Sequence, residues 1–530
     1  MRKIFSRKNR IELLLLLLLI GISSFQCSKK SSTPSPGTVE AFAYSPSIPI
    51  LKGLATNPVL RIAISVPTGN TEQRYRKLQC TLNAGAAGTI QKIDVYLTSV
   101  EAFSAGTLLT SFSPTTTAFD IPITLNMNGG DGKFIWFSIV MKNDAEINSK
   151  IELRCSKLLN DQNNELSVKE GTTVFIKRTG VAVRKANDDA VNTYRIPGIV
   201  QTDRGTLIAV YDNRYINSGD LPGNIDVGMS RSIDSGKTWQ PMRVIMDMGA
   251  PHDQNGIGDP SILFDPVTKK IWVAALWSKG NHSIAGSIGG LSPDSTGQFV
   301  LVNSSDDGLT WSAPINITAQ VKIPAWKIFF QGPGSGIAMQ DGKLVFAAQY
   351  WDGVVTNVPY STIIYSADNG ATWIGKILGP KSNTTESQVV ETTAGTLMLN
   401  MRDNRGSFRS VATTTNMGAS WTEHPTSYNT LQDPICMASL IKAKVNVNGT
   451  MKDVLFFSNP DTKSGRYNIT IKASLDMGQT WLPANQLLID ERTGYGYSSL
   501  TKIDDNTIGI LYEGTRDLYF LKIPVNEIIK

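Results

Sequence analysis

The chain has 530 residues, 41% hydrophobic and 18% charged, with 45 glycines and 25 prolines. That composition can bury a core and excludes a disordered tail protein or a collagen; at roughly 150 residues per domain the length allows two to four domains, or one large β-domain with an appendage. The net charge of +6 does not mark a nucleic-acid binder, because Arg2, Lys3, Arg7, Lys8 and Arg10 against Glu12 supply most of it at the N-terminus and leave the rest close to neutral.

Residues 1–27 read as an export signal: a cationic stretch, the apolar run Leu13 to Ile20, then small and polar residues. The run is shorter than the roughly 20 residues of a membrane span, and its being the single one excludes a polytopic membrane protein. Cys27 follows directly, ahead of a Ser/Pro-rich linker over residues 28–38. The arrangement resembles a bacterial lipoprotein signal, in which this cysteine becomes the lipidated N-terminus. Ser24-Phe25-Gln26 departs from the small-residue pattern of such signals, so ordinary cleavage to a secreted protein stands beside it. Both readings export the chain, and membrane contact is expected only through a lipid anchor.

Residues 39–178 are rich in Thr, Ser and Val, with short β-like runs such as Ile93–Leu97 and Phe134–Val140 broken by Gly, Asn and Pro. An N-terminal β-sandwich is expected. Of the ten tryptophans only Trp136 lies there, and a lone Trp reads as core rather than as a sugar platform. Cys80 and Cys155 also fall in this region: an oxidising compartment would permit a bridge, and two unpaired buried thiols are an equal reading. His252, His282 and His424 show no ligand spacing with any cysteine, so no metal is expected.

Residues 179–530 carry five copies of S-x-D-x-G-x-T-W, the Asp box, at Ser232–Trp239, Ser304–Trp311, Ser366–Trp373, Thr414–Trp421 and Ser474–Trp481, the fourth with Asn416 for Asp and Ser420 for Thr. The pattern suits a tight hairpin whose Asp and Ser oxygens bond the turn, with Gly supplying a positive φ and Trp packing against neighbours. Six apolar strands follow turn residues, from Gly205–Tyr211 to Thr507–Tyr512, each preceded by a short strand beginning near Arg195, Asp259, Ser335, Glu386, Asp433 or Tyr497. Six hairpin pairs predict an all-β, six-bladed β-propeller with blade-sized repeats. Since this region holds its own closed set of hairpins, the two regions are expected to separate at about residue 179.

In an antiparallel hairpin the start of the first strand and the end of the second share a rim. Arg195, Asp259, Glu386, Asp433 and Tyr497 stand at strand starts, and Arg214, Asp352, Arg402 and Glu513 at or just past strand ends. So many charges on one rim are more than a structural propeller needs.

Tyr194-Arg195-Ile196-Pro197, Glu386 leading to Gly395-Thr-Leu-Met-Leu-Asn-Met-Arg402, Arg466 ahead of Asn468-Ile-Thr470, and Tyr497-Ser498 resemble the bacterial exo-α-sialidases of glycoside hydrolase family 33 across essentially the whole propeller. Asp boxes alone are weak evidence, since propellers of other function carry them. The resemblance implies that Arg195, Arg402 and Arg466 clamp the sialic acid carboxylate, for which guanidinium forks are matched, with Glu513 buttressing Arg195. It implies Tyr497 as nucleophile and Glu386 as its base. Sialidases with a tyrosine nucleophile are an exception to the two-carboxylate glycosidases, and a neutral phenol avoids the repulsion a carboxylate would meet at an anionic anomeric centre. It implies Asp220 as acid/base, in the loop after Arg214, with Asp226 as the rival, and Asp259 lining the glycerol or N-acyl pocket.

The expected activity is retaining exo-sialidase hydrolysis of sialylated glycoproteins, gangliosides and oligosaccharides, with neither cofactor nor metal. The N-terminal region resembles the β-sandwich of related Bacteroidetes enzymes, expected to assist glycan binding. A trans-sialidase or intramolecular trans-sialidase is the first rival. A non-catalytic sialoglycan-binding propeller is the second, and it predicts loss of Tyr497, Glu386 or Asp220, all of which are present.

Overall fold

A computed structural model describes residues 37–103, 106–171, 175–353 and 355–530. The export signal and Cys27 lie outside the described residues. Strand dominates, and the α-helices are single four-residue turns such as Ala86–Thr89 and Thr318–Val321. None of the described helices is long and apolar enough to cross a membrane.

In the N-terminal region Glu165–Glu170, Glu40–Tyr44, Pro58–Ser65, Gly132–Met141, Ile90–Thr98 and Thr107–Phe112 pair in that order, while Ala118–Met127 pairs Gln73–Leu82, which pairs Lys150–Asn160. Alternation sends one face of each strand inward: Ile62, Ile93, Val95 and Phe137 from the first set meet Leu78, Ile121 and Leu158 from the second in one buried cluster. Trp136 is 6% exposed, as expected of a core residue. Cys80 stands opposite Cys155 on neighbouring strands, and both are buried free thiols.

The rest is propeller-like. Four sheets are built around the apolar strands Leu207–Arg214, Ile271–Lys279, Thr396–Asp403 and Thr450–Pro460, and a further one around Leu344–Trp351, each paired with strands that precede and follow it in the chain. A last set runs Ser498–Asp504, Thr507–Glu513, Leu518–Pro524 and then Ile176–Arg184, a strand that precedes all the others in sequence. The boundary expected near residue 179 falls inside this strand. Ile176–Arg178 pair with Lys150–Glu152 of the N-terminal region, Thr179–Val181 with Ile50–Lys52, and Val181–Arg184 with Leu518–Phe520.

The Asp boxes close the outer hairpins. Each opens on the last residue of a third strand, as at Ser232 and Ser304. Ser232 Oγ donates to Asp234 Oδ1 at 2.8 Å and accepts from the Gly236 N–H at 2.9 Å, while Asp234 accepts from both the N–H and the hydroxyl of Thr238. Ser235 and Gly236 are both left-handed, at φ 57° and 86°, the pair of positive φ values that a type I′ turn over residues 234–237 demands. Three strand traversals separate a first strand's start from its box, so the boxes occupy the opposite rim from Arg195 and Glu386. They are structural.

Candidate active site

The first strands are bulged where their charged residues stand. Regular pairing is interrupted between Arg195 and Gly198, between Gly258 and Ser261, and between Thr384 and Ser387. A bulge re-aims a side chain out of the ladder, here Arg195, Asp259 and Glu386. Ile196 and Asp259 hold left-handed φ of 57°, uncommon for residues with a side chain.

The re-aimed residues line one cavity of about 360 Å³, together with Asp220, Arg402, Arg466 and Tyr497. The Tyr497 hydroxyl donates to Glu386, 2.6 and 2.7 Å from its two oxygens. Arg402 Nη1 lies 2.6 Å from Glu386 Oε2 and 3.1 Å from the Tyr497 oxygen. Burial and the Glu386 carboxylate push the Tyr497 phenol well above its ordinary pKa, against the pull of Arg402 and Arg195. At neutral pH Tyr497 is therefore a phenol, held in hydrogen-bond contact with Glu386.

Glu513, buried behind the cavity, joins the first and last sheets. Its Oε1 accepts from Arg195 Nε at 3.1 Å and from the Ile196 N–H at 2.8 Å, and its Oε2 accepts from the Tyr497 N–H at 2.9 Å. Arg466 donates to the carbonyls of Tyr495 and Ile435. The Tyr495 ring stacks on the Arg195 guanidinium, 4.3 Å from its centroid.

Asp220 sits exposed on its loop, 2.6 Å from Arg214 Nη1 and 3.4 Å from Arg195 Nη1. Partial desolvation raises its pKa, but Arg214 and Arg195 outweigh it and hold the carboxyl below the ordinary range. Asp259 behaves oppositely: burial and the Asp212 and Asp220 charges push its pKa well above the ordinary carboxylate range.

Several rim residues lie elsewhere. Arg214 and Glu513 stand behind the cavity wall rather than on it. Asp352 caps its own loop, accepting from Thr356 and Val358. Asp433 turns toward the fully buried Arg409, 3.7 Å away, and accepts from the Cys436 N–H. Arg409, which sequence reasoning missed, also binds the Cys436 carbonyl and Asn400. Also missed is an apolar wall of Leu221, Leu276, Ile284, Phe330 and Trp351, with Gln349 and Asn404; Leu276, Phe330, Gln349 and Trp351 sit within apolar strands, Leu221 and Ile284 on loops, and none carries a local signal.

Asp226, the rival to Asp220, is absent from the cavity lining. Burial and the nearby Asp247 raise its pKa to about 6, against a hydrogen bond from Tyr215. A carboxyl whose folded pKa is raised carries a penalty that builds as the pH rises above its ordinary value, is complete above the raised value and is absent below both. Asp226→Asn is therefore expected to raise the melting temperature at pH 7.5, to change it little at pH 4 and, since Asp226 does not line the cavity, to leave turnover little changed. Loss of turnover at unchanged stability would return Asp226 to the site.

No cluster of three or more His, Cys, Asp or Glu side chains among the described residues is placed to hold a metal ion. Residues 205–510 match the BNR repeat-like domain model. A sialidase of Bacteroides fragilis is 47% identical over 405 residues, 75% of this chain and 74% of that protein. A sialidase of Paraclostridium sordellii is 30% identical over 396 residues, 69% of this chain and 93% of its relative. Among solved structures, a Hadza microbial sialidase superposes with a TM-score of 0.85 at 39% identity, covering 92% of this chain and all of that one.

Proposed function

The chain belongs to the bacterial exo-α-sialidases, glycoside hydrolases that release sialic acid, and from that premise we propose that it works with retention, through a glycosyl intermediate on Tyr497. The observation that carries the mechanism is the Tyr497 hydroxyl at 2.6 Å from Glu386, beside Arg402 in a cavity shared with Arg195 and Arg466. The three guanidiniums bind the substrate carboxylate and fix the anomeric carbon. Glu386 takes the phenolic proton as the Tyr497 oxygen attacks, so charge develops beside Arg402 rather than in open solvent.

Asp220 protonates the departing glycosidic oxygen and then activates water. Its low resting pKa is reconciled with an acid role by the substrate itself. A carboxylate bound to Arg195 draws that guanidinium's charge away from Asp220 and adds a negative neighbour, and both effects raise the Asp220 pKa. Asp259 is a hydrogen-bond partner for sugar hydroxyl or N-acyl groups. The apolar wall of Leu276, Phe330 and Trp351 supplies dispersion contacts along one side.

The finer architecture belongs to the same reading: a six-bladed propeller whose last blade is the set Ser498–Asp504, Thr507–Glu513, Leu518–Pro524 and Ile176–Arg184, preceded by a carbohydrate-binding-like β-sandwich. Residues 1–27 export the protein, with Cys27 lipidated at the cell envelope, and terminal sialosides of glycoproteins, gangliosides and oligosaccharides are its substrates. Incubation with α2,3-, α2,6- and α2,8-linked sialosides is expected to yield free sialic acid by mass. A 2,7-anhydro product, or transfer to added lactose, would replace hydrolysis with the intramolecular or transfer reaction.

A further inference from the structure

One buried carboxylate beside the cavity has no part in the scheme above. Asp212, 1% exposed, lies opposite Arg195 on the strand Leu207–Arg214. Its Oδ2 accepts from Arg214 Nε at 3.1 Å and Nη2 at 2.8 Å, and its Oδ1 accepts from the backbone N–H of Asp259 at 2.8 Å. Arg214 spends its remaining nitrogen on the neighbouring loop, with Nη1 2.6 Å from Asp220 Oδ1 and 2.8 Å from the Ser218 carbonyl. A Cβ on Gly258 would stand 2.9 Å from Asp212 Oδ1, so only glycine there lets the carboxylate reach the next N–H without displacement.

A buried ion pair is by itself weak evidence for stability, since desolvation cancels much of its attraction. What distinguishes this one is where its bonds go. Asp220 is on an exposed loop and would otherwise choose among many positions. The left-handed Asp259 is held from one side by Asp212 and from the other by Gln331 Nε2, 2.6 Å from its carbonyl. We propose that Asp212 is a positioning residue for the acid/base step, holding Asp220 over the cavity through Arg214 and fixing the Asp259 backbone through its N–H. This rests on the reading of Asp220 as the acid.

The test uses leaving groups. An aryl sialoside expels a stable phenolate and needs little protonation, whereas the sugar alkoxide of sialyllactose needs an acid, and kcat/KM reports formation of the intermediate. In Asp212→Asn one amide oxygen can still accept from Asp259, but the amide NH2 faces the donors of Arg214 and the fork is lost. The variant is expected to lose about 30-fold in kcat/KM on sialyllactose and under about threefold on the aryl substrate. Asp220→Ala, measured alongside, is expected to show the same split, larger. An Asp220→Ala enzyme without the split overturns the reading of Asp220 and the proposal with it. A split in Asp220→Ala but equal losses, or no loss, in Asp212→Asn overturns the proposal alone. Should Asp212→Asn fail to fold, Arg214→Lys tests the link from its other end, because one ammonium cannot serve both carboxylates. It too must show the split, and equal losses on the two substrates overturn the proposal.

Discussion

Tyr497→Phe is expected to lower kcat by about 10³-fold, within the range lost when a proton transfer to a positioned base is removed, while the sialic acid glycal still binds. The phenyl ring keeps its place: Tyr497 packs with Ile196, Cys436 and Met437, and its N–H remains bonded to Glu513. Only the attacking oxygen goes. A fluorinated sialosyl donor, which slows breakdown of the intermediate, should leave a covalent mass on one peptide of the unsubstituted enzyme and none on the variant. Tyr495 is the control within that peptide. Its ring is committed to the Arg195 guanidinium and it is absent from the cavity lining, whereas the Tyr497 hydroxyl touches Glu386 and Arg402. Label on Tyr495, on an acidic residue, or nowhere despite turnover would sink the assignment.

The same residues show how much of the site is legible in the sequence alone. Strand order and the alternation of hairpin ends put Arg195, Glu386, Arg402 and Tyr497 on one rim, because chain direction alone decides which end of a strand lies where. That rule places backbone, not side chains. Asp352 and Asp433 satisfy it as well as Glu386 does, yet they bond to their own loop and to Arg409, and only the bulged pairing at Thr384–Ser387 separates the cases. Bulges leave little trace in composition when the residue involved is not glycine.

Long-range partners were harder still. Arg214 reads as a rim charge, but its fork belongs to Asp212 two residues earlier and its third nitrogen to Asp220, a division set by rotamers. Phe330 and Trp351 are indistinguishable from core in an apolar strand, and the opposition of Cys80 and Cys155 depends on a register change between Gln79 and Cys80 that no local pattern discloses.

The strand Ile176–Arg184, which pairs on both sides of residue 179, bears on the independence expected of the box-bearing region and points to a different expected result. A chain beginning at residue 179 keeps the pairing of Val181–Arg184 with Leu518–Phe520 but turns that strand into a short N-terminal stub, which frays. It also loses the Ile50–Lys52 strand beside Thr179–Val181, and the two buried side chains Leu51 and Ile147, which pack into clusters with Ile510 and Leu521 and with Val183 and Phe520 respectively. Polar ties go with them: Lys52 Nζ to the Lys237 carbonyl of the first Asp box at 2.7 Å, and Tyr44 to Glu491 at 3.0 Å. At about 1.5–3 kcal/mol for each buried aliphatic side chain, the two alone remove about 3–6 kcal/mol from a net stability of roughly 5–15 kcal/mol. The strand that weakens lies in the last sheet, and the Arg195–Glu513 bond joins that sheet to the first, so loosening that junction moves Arg195 away from Tyr497. The fragment is expected to unfold at a clearly lower urea concentration than the chain beginning at residue 37 and to cleave an aryl sialoside with reduced kcat/KM. Equal midpoints and equal kcat/KM for the two chains would show that the N-terminal region is only an appendage and that the first and last sheets join without it.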